Sequence, residues 1–371
     1  LLNLVVSSLG SLFFYKTLFQ FIKKEIALPA TLFLLASLWF SHSRKFMPDV
    51  FSTSLVLIAI YFGWSYLKKN QNWHLIIYFV LITFGLLSKL PAFVMTALLV
   101  PAIFESSILL KRKSILILMS FFAITPALWW YFYWAPKLTS DYGYYYFFMG
   151  SDISTSLSSL ISGWKLTLSR FYVDAIGYVG FAFYIFGIGY SIIKKERQLL
   201  LILGSVFIFQ LAFMLKGGET FAHHTYYIIS FVPAMSIFAA YFVSLIKLKW
   251  LKIILILTVV VEGVLNLQHD FMPKPAENYR LKMENVADNY TAQNELIVIN
   301  NEANPASLYF THRKGWTVTN SIPSNPDLLK EMKEKGCKLF IWDKHRANKP
   351  ENLPYFKLIQ ETEDFAIFQP K

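Results

Sequence analysis

Ten apolar runs occupy most of the first 269 residues, at about 1–22, 26–42, 47–67, 73–88, 91–110, 114–134, 174–193, 198–215, 224–246 and 250–266. A helix of about 20 apolar residues crosses the hydrocarbon core of a bilayer. The chain is 55% hydrophobic and only 16% charged, against about a quarter charged in a soluble domain. That is too little polar surface to face water, so lipid is the solvent for most of the molecule. The expected fold class is a multi-pass α-helical membrane protein of about ten transmembrane helices (1–269), followed by a small extracytoplasmic α/β domain (270–371).

Charge placement supports this division. The net charge of +12 lies wholly in 1–269, while 270–371 is balanced, with 14 basic and 14 acidic residues. An excess confined to the loops of an apolar region faces anionic lipid and does not form a nucleic-acid surface. Alternate loops carry Lys23 and Lys24; Lys68 and Lys69; Lys111, Arg112 and Lys113; Lys194, Lys195 and Arg197; and Lys247, Lys249 and Lys252. These 13 cations mark the cytoplasmic side, against seven on the other side: Arg44, Lys45, Lys89, Lys137, Lys165, Arg170 and Lys216. The expected location is the cytoplasmic (inner) membrane, with the long loop 135–173 and the C-terminal domain outside the cytoplasm. The single cysteine, Cys337, excludes an intramolecular disulfide. The chain opens at Leu1, already within an apolar run and without a signal-peptide pattern, so a preceding segment is expected.

Beyond 269 the texture changes. A Pro-containing polar linker leads to ELIVIN (295–300) and CKLFIWD (337–343), which read as buried strands. NPDLLKEMKEKG reads as a helix closed by Gly336, and FKLIQ with DFAIFQ as a terminal hairpin. Strands alternating with helices favour a partly parallel sheet.

The seven cations on the outer side oppose the positive-inside bias, which invites an anionic ligand at that face. In SHSRKFMPDV, Pro48 and Asp49 suit a first helical turn. The same carboxylate also suits a cavity mouth, with Arg44 as a phosphate neighbour or an interfacial anchor. Lys89, just before Leu90-Pro91, either snorkels to headgroups or pairs with a phosphate. LKGGETFAHHTYY gathers Lys216, Glu219, His223, His224, Tyr226 and Tyr227. The tyrosines read as interfacial belt or as part of a sugar-phosphate site. The histidines with Glu219 leave a divalent metal open, although HEXXH spacing is absent; no cofactor is assigned. The aromatic stretch DYGYYYFFMG in the long loop reads as belt or as a lid, and Arg170 as an anchor or a phosphate ligand. Nucleotide-binding loops and serine-hydrolase or zinc motifs are missing, so a transfer reaction here would need a donor activated in advance.

Taken in order, FYKTLFQFIKKEIALPATLFLLASLWFSHSRKFMPDV, ITFGLLSKLPAFVM, DYGYYYFFMG, HHTYYIISFVP and NPASLYFTHRKGWTV resemble glycosyltransferase family 39, the protein-mannosyltransferase and aminoarabinose-transferase-like group of GT-C membrane enzymes. The resemblance implies an inverting glycosyltransferase that moves a sugar from a polyprenyl-phosphate donor to a lipid, glycan or protein acceptor. It places Asp49 at a supporting acidic position, Lys89 facing the donor, Tyr226 or Tyr227 near the cavity, and Arg170 at the donor's phosphate. The family's principal carboxylate lies in the first outer loop, which is expected upstream of Leu1. Two rival readings remain: a lipid-linked-sugar transporter or flippase, and a non-catalytic membrane assembly protein.

Overall fold

Pro48 supplies the fixed φ of a first helical turn and opens a helix that runs to Lys69, closed by Asn70 in the left-handed conformation (φ 56°). Its 22 residues rise about 33 Å, enough to cross a bilayer. The computed structural model describes residues 1–142, 152–272 and 274–371. Among these, five helices are long and apolar enough to cross a membrane: Leu2–Ile22, Pro48–Lys69, Leu110–Tyr142, Arg197–Gly217 and the one that opens with Lys249–Leu267. A sixth is obtained if Trp164–Ala175 and Gly177–Ile193, bent by 100°, form one span. The protein is a multi-pass membrane protein.

The remaining apolar runs are helical but short or broken, for identifiable reasons. Run 26–42 divides at Ala36, where the Ser37 hydroxyl accepts from the Trp39 N–H and caps a new helix, Leu38–Ser43. Asn72–Ser88 stops at the extended residue Lys89 and passes into a 3₁₀ stretch, Leu90–Leu99, with proline in its first turn. Run 224–246 contributes a 3₁₀ turn, Thr225–Ile228, and the helix Val232–Ser244. The 100° bend follows Ile176; Gly177 there has φ 71°, and Glu262 from Lys249–Leu267 accepts the N–H groups of Tyr178 and Val179. A carboxylate at a helix N-terminus satisfies donors that lipid cannot.

Small residues bring these helices together. A side chain at Gly187 would strike the Phe238 carbonyl, and one at Gly263 the Ala36 carbonyl. Such close backbone approach is how helices pack in lipid, where apolar side chains gain nothing by leaving it.

The chain divides into two compact units, Leu1–Phe271 and Met272–Lys371. The second holds a five-stranded sheet of β1 (Leu296–Asn300), β2 (Lys314–Val318), β3 (Cys337–Asp343), β4 (Phe356–Glu361) and β5 (Phe365–Pro370), in the order β2-β1-β3-β5-β4. β1 pairs in parallel with β2 and β3, and the β4–β5 hairpin closes the antiparallel edge. Side chains alternate between two cores. Val298, Phe340, Trp342 and Phe368 meet Leu329 and Met332, while Ile297, Ile299, Leu339 and Ile341 meet Met283 and Ala287. The helix Pro326–Glu334 starts at Asn325, whose side chain accepts from the Leu328 N–H. β2 was not among the expected strands. Its Gly315 lies against the Ile297 carbonyl, where any side chain would collide. Cys337 is buried in β3, and burial pushes its thiol up to about 12.

Candidate functional site

The site begins where two helices touch at small residues. The Ser52 hydroxyl lies 2.6 Å from the Gly85 carbonyl and 2.9 Å from the Lys89 carbonyl. It therefore ties the end of Asn72–Ser88 to the first turns of Pro48–Lys69. A side chain on Gly85 would come within 2.9 Å of Val56 Cγ2. This contact sets Lys89 beside Asp49, with Nζ 3.5 Å from Oδ1.

That separation exceeds the 2.7–2.9 Å or so of a tight charge-assisted bond, so the ammonium keeps donors for another ligand. Asp49 is 6% exposed, and its Oδ2 has no hydrogen-bond partner among the described residues. A buried carboxylate oxygen without a donor is costly, and a hydroxyl or amine from a ligand would meet it. On its other side Lys89 faces two rings, with Nζ 5.5 Å from the Tyr226 centroid and 5.2 Å from that of Tyr227. Those rings stand 4.7 Å apart, and His224 stacks on Tyr226 at 5.1 Å.

Lys89, Lys216, His224, Tyr226 and Tyr227 line one cavity of about 610 Å³. The rest of its wall is Leu90, Pro91, Phe93, Val94, Ile124, Tyr131, Phe132, Phe209, Ala212 and Phe213. The cavity is thus mostly apolar and aromatic, with Lys89 and Lys216 supplying cations in its wall. Such a shape suits an amphiphile that carries a phosphate on a hydrocarbon chain.

Not every expected residue joins it. Arg44 is exposed, donates to the Asp270 carbonyl and lies 4.0 Å over the Phe271 ring, while neighbouring Lys45 pairs with the Asp270 carboxylate at 3.0 Å. These contacts pin Arg44 to the end of the Lys249–Leu267 helix; it does not line the cavity. His223 is exposed and pairs with Glu219 at 3.3 Å, so only its neighbour His224 reaches the wall. Arg170 spends two donors on scaffolding: Nε donates to the Ala222 carbonyl at 2.7 Å, and Nη1 meets Asp174 at 2.5 Å. It therefore braces the turn before His224. The aromatic loop 143–151 lies outside the described residues. Among those described, no group of three His, Cys, Asp or Glu residues is arranged to hold a metal ion.

Sequence reasoning missed Ser52, which looks like an ordinary helical serine, and the wall residues Phe93, Phe209 and Phe213, which are indistinguishable from lipid-facing or core phenylalanines. Ser52 and Gly85 sit among small residues on helices that meet, and that was the one available signal.

Comparisons with known proteins bear on the family and the fold. Residues 1–130 match the family described as dolichyl-phosphate-mannose-protein mannosyltransferase. Two crystal structures of ArnT from Cupriavidus metallidurans share the fold. The apo form has a TM-score of 0.59 at 10% identity, covering 99% of this chain and 82% of that one. The form bound to undecaprenyl phosphate has a TM-score of 0.56 at 11% identity, covering 99% and 83%. The chain has the fold of a GT-C membrane glycosyltransferase. The resemblance to family 39 carried by its motifs holds, with the matched third containing Arg44, Asp49 and Lys89. No curated protein matches the chain by sequence.

Proposed function

We propose that the protein transfers a sugar from a polyprenyl-phosphate carrier to a lipid, glycan or protein acceptor at the outer face of the cytoplasmic membrane. In this reading all ten apolar runs traverse or re-enter the bilayer and the C-terminal unit lies outside the cytoplasm. The observation that carries it is a cation, Lys89, in the wall of an aromatic-lined cavity and beside a buried carboxylate with an oxygen that has no partner among the described residues. The ArnT structure with undecaprenyl phosphate supports the choice of carrier class.

The chemistry follows from the charges. The bond between the anomeric carbon and the phosphate oxygen breaks as the acceptor's oxygen or nitrogen bonds to the opposite face of that carbon, so the configuration inverts. Both bonding electrons leave with the carrier phosphate, whose charge grows, and the proton lost by the attacking oxygen or nitrogen ends on that phosphate or in water. Lys89, with Lys216 and His224 on the same wall, stabilises that charge in a water-poor site. Tyr226 and Tyr227 hold the ammonium in place. Asp49 Oδ2 accepts a hydrogen bond from the sugar or the acceptor and orients it.

The test compares envelope lipids, glycans and proteins by mass spectrometry in cells with the gene, without it, and complemented by variants. Loss of one sugar modification on deletion, restored by the wild-type gene and not by Asp49→Ala or Lys89→Ala, is expected. Full restoration by both variants contradicts the reading.

A further inference from the structure

The second half of the long loop 135–173 holds a two-part helical elbow, Ile153–Ser162 and Trp164–Ser169, joined at Gly163. The Asp152 side chain caps its start, accepting from the Thr155 N–H at 2.9 Å. Hydrogen bonds from the Ser154 and Thr155 hydroxyls and that N–H hold the Asp152 carboxyl well below the usual carboxylate range.

At about 100° per residue, the elbow divides into three sectors. Ser156 and Thr167 fall in one and are buried. Ile153, Leu157, Ile161, Trp164 and Leu168 fall in a second and are all exposed, from 42% to 70%. Ser154, Ser158, Ser162 and Lys165 fall in a third and are also exposed. In water the second sector would be an unpaid cost, since it lays five large apolar side chains side by side on a short surface helix.

The buried sector fixes where the elbow sits. Ser156 packs on Gly218, whose φ of 52° and lack of a side chain permit the approach; a Cβ there would lie 2.8 Å from Ser156 Oγ. Gly218 immediately follows the candidate span Arg197–Gly217, so the elbow lies at the level where a membrane helix ends. Trp164 beside Lys165, with Nζ 5.9 Å from the ring, is the pairing that favours a headgroup boundary.

We propose that the Ile153–Ser169 elbow is an interfacial anchor that lies along the bilayer surface, with its Ile153–Leu157–Ile161–Trp164–Leu168 stripe immersed in lipid and its serine stripe in water. The partner is the bilayer interface itself. The elbow runs without a break into the Arg170–Ala175 turn, so lipid contact fixes the depth of the turn from which Arg170 reaches the Ala222 carbonyl, two residues before the cavity-lining His224. The proposal stands whether or not the cavity binds a polyprenyl phosphate.

Single cysteines placed along 153–168 in a Cys337→Ala background, spin-labelled in vesicles of phosphatidylethanolamine and phosphatidylglycerol, test it. Collision with oxygen is expected to dominate at 153, 157, 161, 164 and 168, and collision with a water-soluble nickel chelate at 154, 158, 162 and 165. Nickel access at the apolar positions overturns the proposal. Low access to both reagents there, the mark of burial against a second copy of the chain, overturns it equally. The unsubstituted protein gives an independent reading. A diazirine-bearing acyl lipid should cross-link to the peptide containing 153–168, and no cross-link to that peptide contradicts the assignment.

Discussion

Two buried aspartates, one in each unit, show how differently the same residue can be used. Asp343, at the end of β3, is fully buried and fully answered. The Tyr279 hydroxyl donates to Oδ2 at 2.8 Å and the His345 N–H to Oδ1 at 2.9 Å, while Asn300 exchanges two hydrogen bonds with its backbone. Asp49 is almost as buried, yet it has one loose cation at 3.5 Å and an oxygen with no donor among the described residues. A satisfied buried carboxylate rigidifies a core; one left half-answered beside a cavity-lining lysine keeps capacity for a further hydrogen bond. Satisfaction, more than burial, is what distinguishes the two acids, and it is the ground for the role proposed for Asp49.

The largest effect should come from the half-answered acid and its cation. Lys89→Met or Asp49→Asn should lower sugar transfer by about 100-fold or more, the scale for losing one preorganised charge-stabilising group, while the protein still folds and inserts. Transfer rates in purified membranes check this, and near-normal rates in both variants would erase the contrast with Asp343.

Next is the structural acid. Asp343→Ala strands the Tyr279 hydroxyl and the His345 N–H and should destabilise the C-terminal unit by about 1–3 kcal/mol. Hydrogen exchange of the β1 and β3 amides in the intact protein reads this out; unchanged protection would show that the acid contributes nothing to the core.

A third expectation concerns pH. Hydrogen bonds from Lys282 and His345 hold the Asp364 carboxyl below its ordinary range. A depressed carboxylate stabilises the folded unit above its unfolded value of about 4, and that contribution fades as pH falls through the lower folded value. Asp364→Asn should therefore flatten the acid side of the stability profile and leave its slope above neutrality unchanged. An acid limb of undiminished steepness counts against the pairing.

The smallest effect belongs to Arg44→Ala. It removes a stacking contact with Phe271 worth about 0.5–1 kcal/mol and should change transfer by less than about threefold, because Arg44 does not line the cavity.

Much of this was legible from residue types alone. Pro48-Asp49, Lys89 before Leu90-Pro91, and His224 ahead of the paired tyrosines stood out because charge or conformational constraint interrupts an apolar run; the structure sets Asp49 beside Lys89 and puts Lys89 and His224 on one cavity wall. Arg44 and His223 carried equal signal but are drawn off by Asp270 and Glu219, pairings fixed by tertiary approach and invisible to spacing. The strands at 296–300 and 337–343 follow from their β-branched and aromatic runs, whereas β2, with Gly315 in its centre, has no such pattern and exists because its backbone pairs with β1. Helix breaks at Ser37 and Gly177 escaped for a similar reason: hydropathy measures apolar length, while a serine cap or a distant Glu262 decides where a helix turns.

The most direct test of the central claim is the affinity of the purified protein for undecaprenyl phosphate, measured by native mass spectrometry for wild type, Lys89→Ala and Arg44→Ala. Binding at least about tenfold weaker in Lys89→Ala, a loss of about 1.4 kcal/mol, with Arg44→Ala close to wild type, is the predicted result. Equal affinity in wild type and Lys89→Ala would contradict the account.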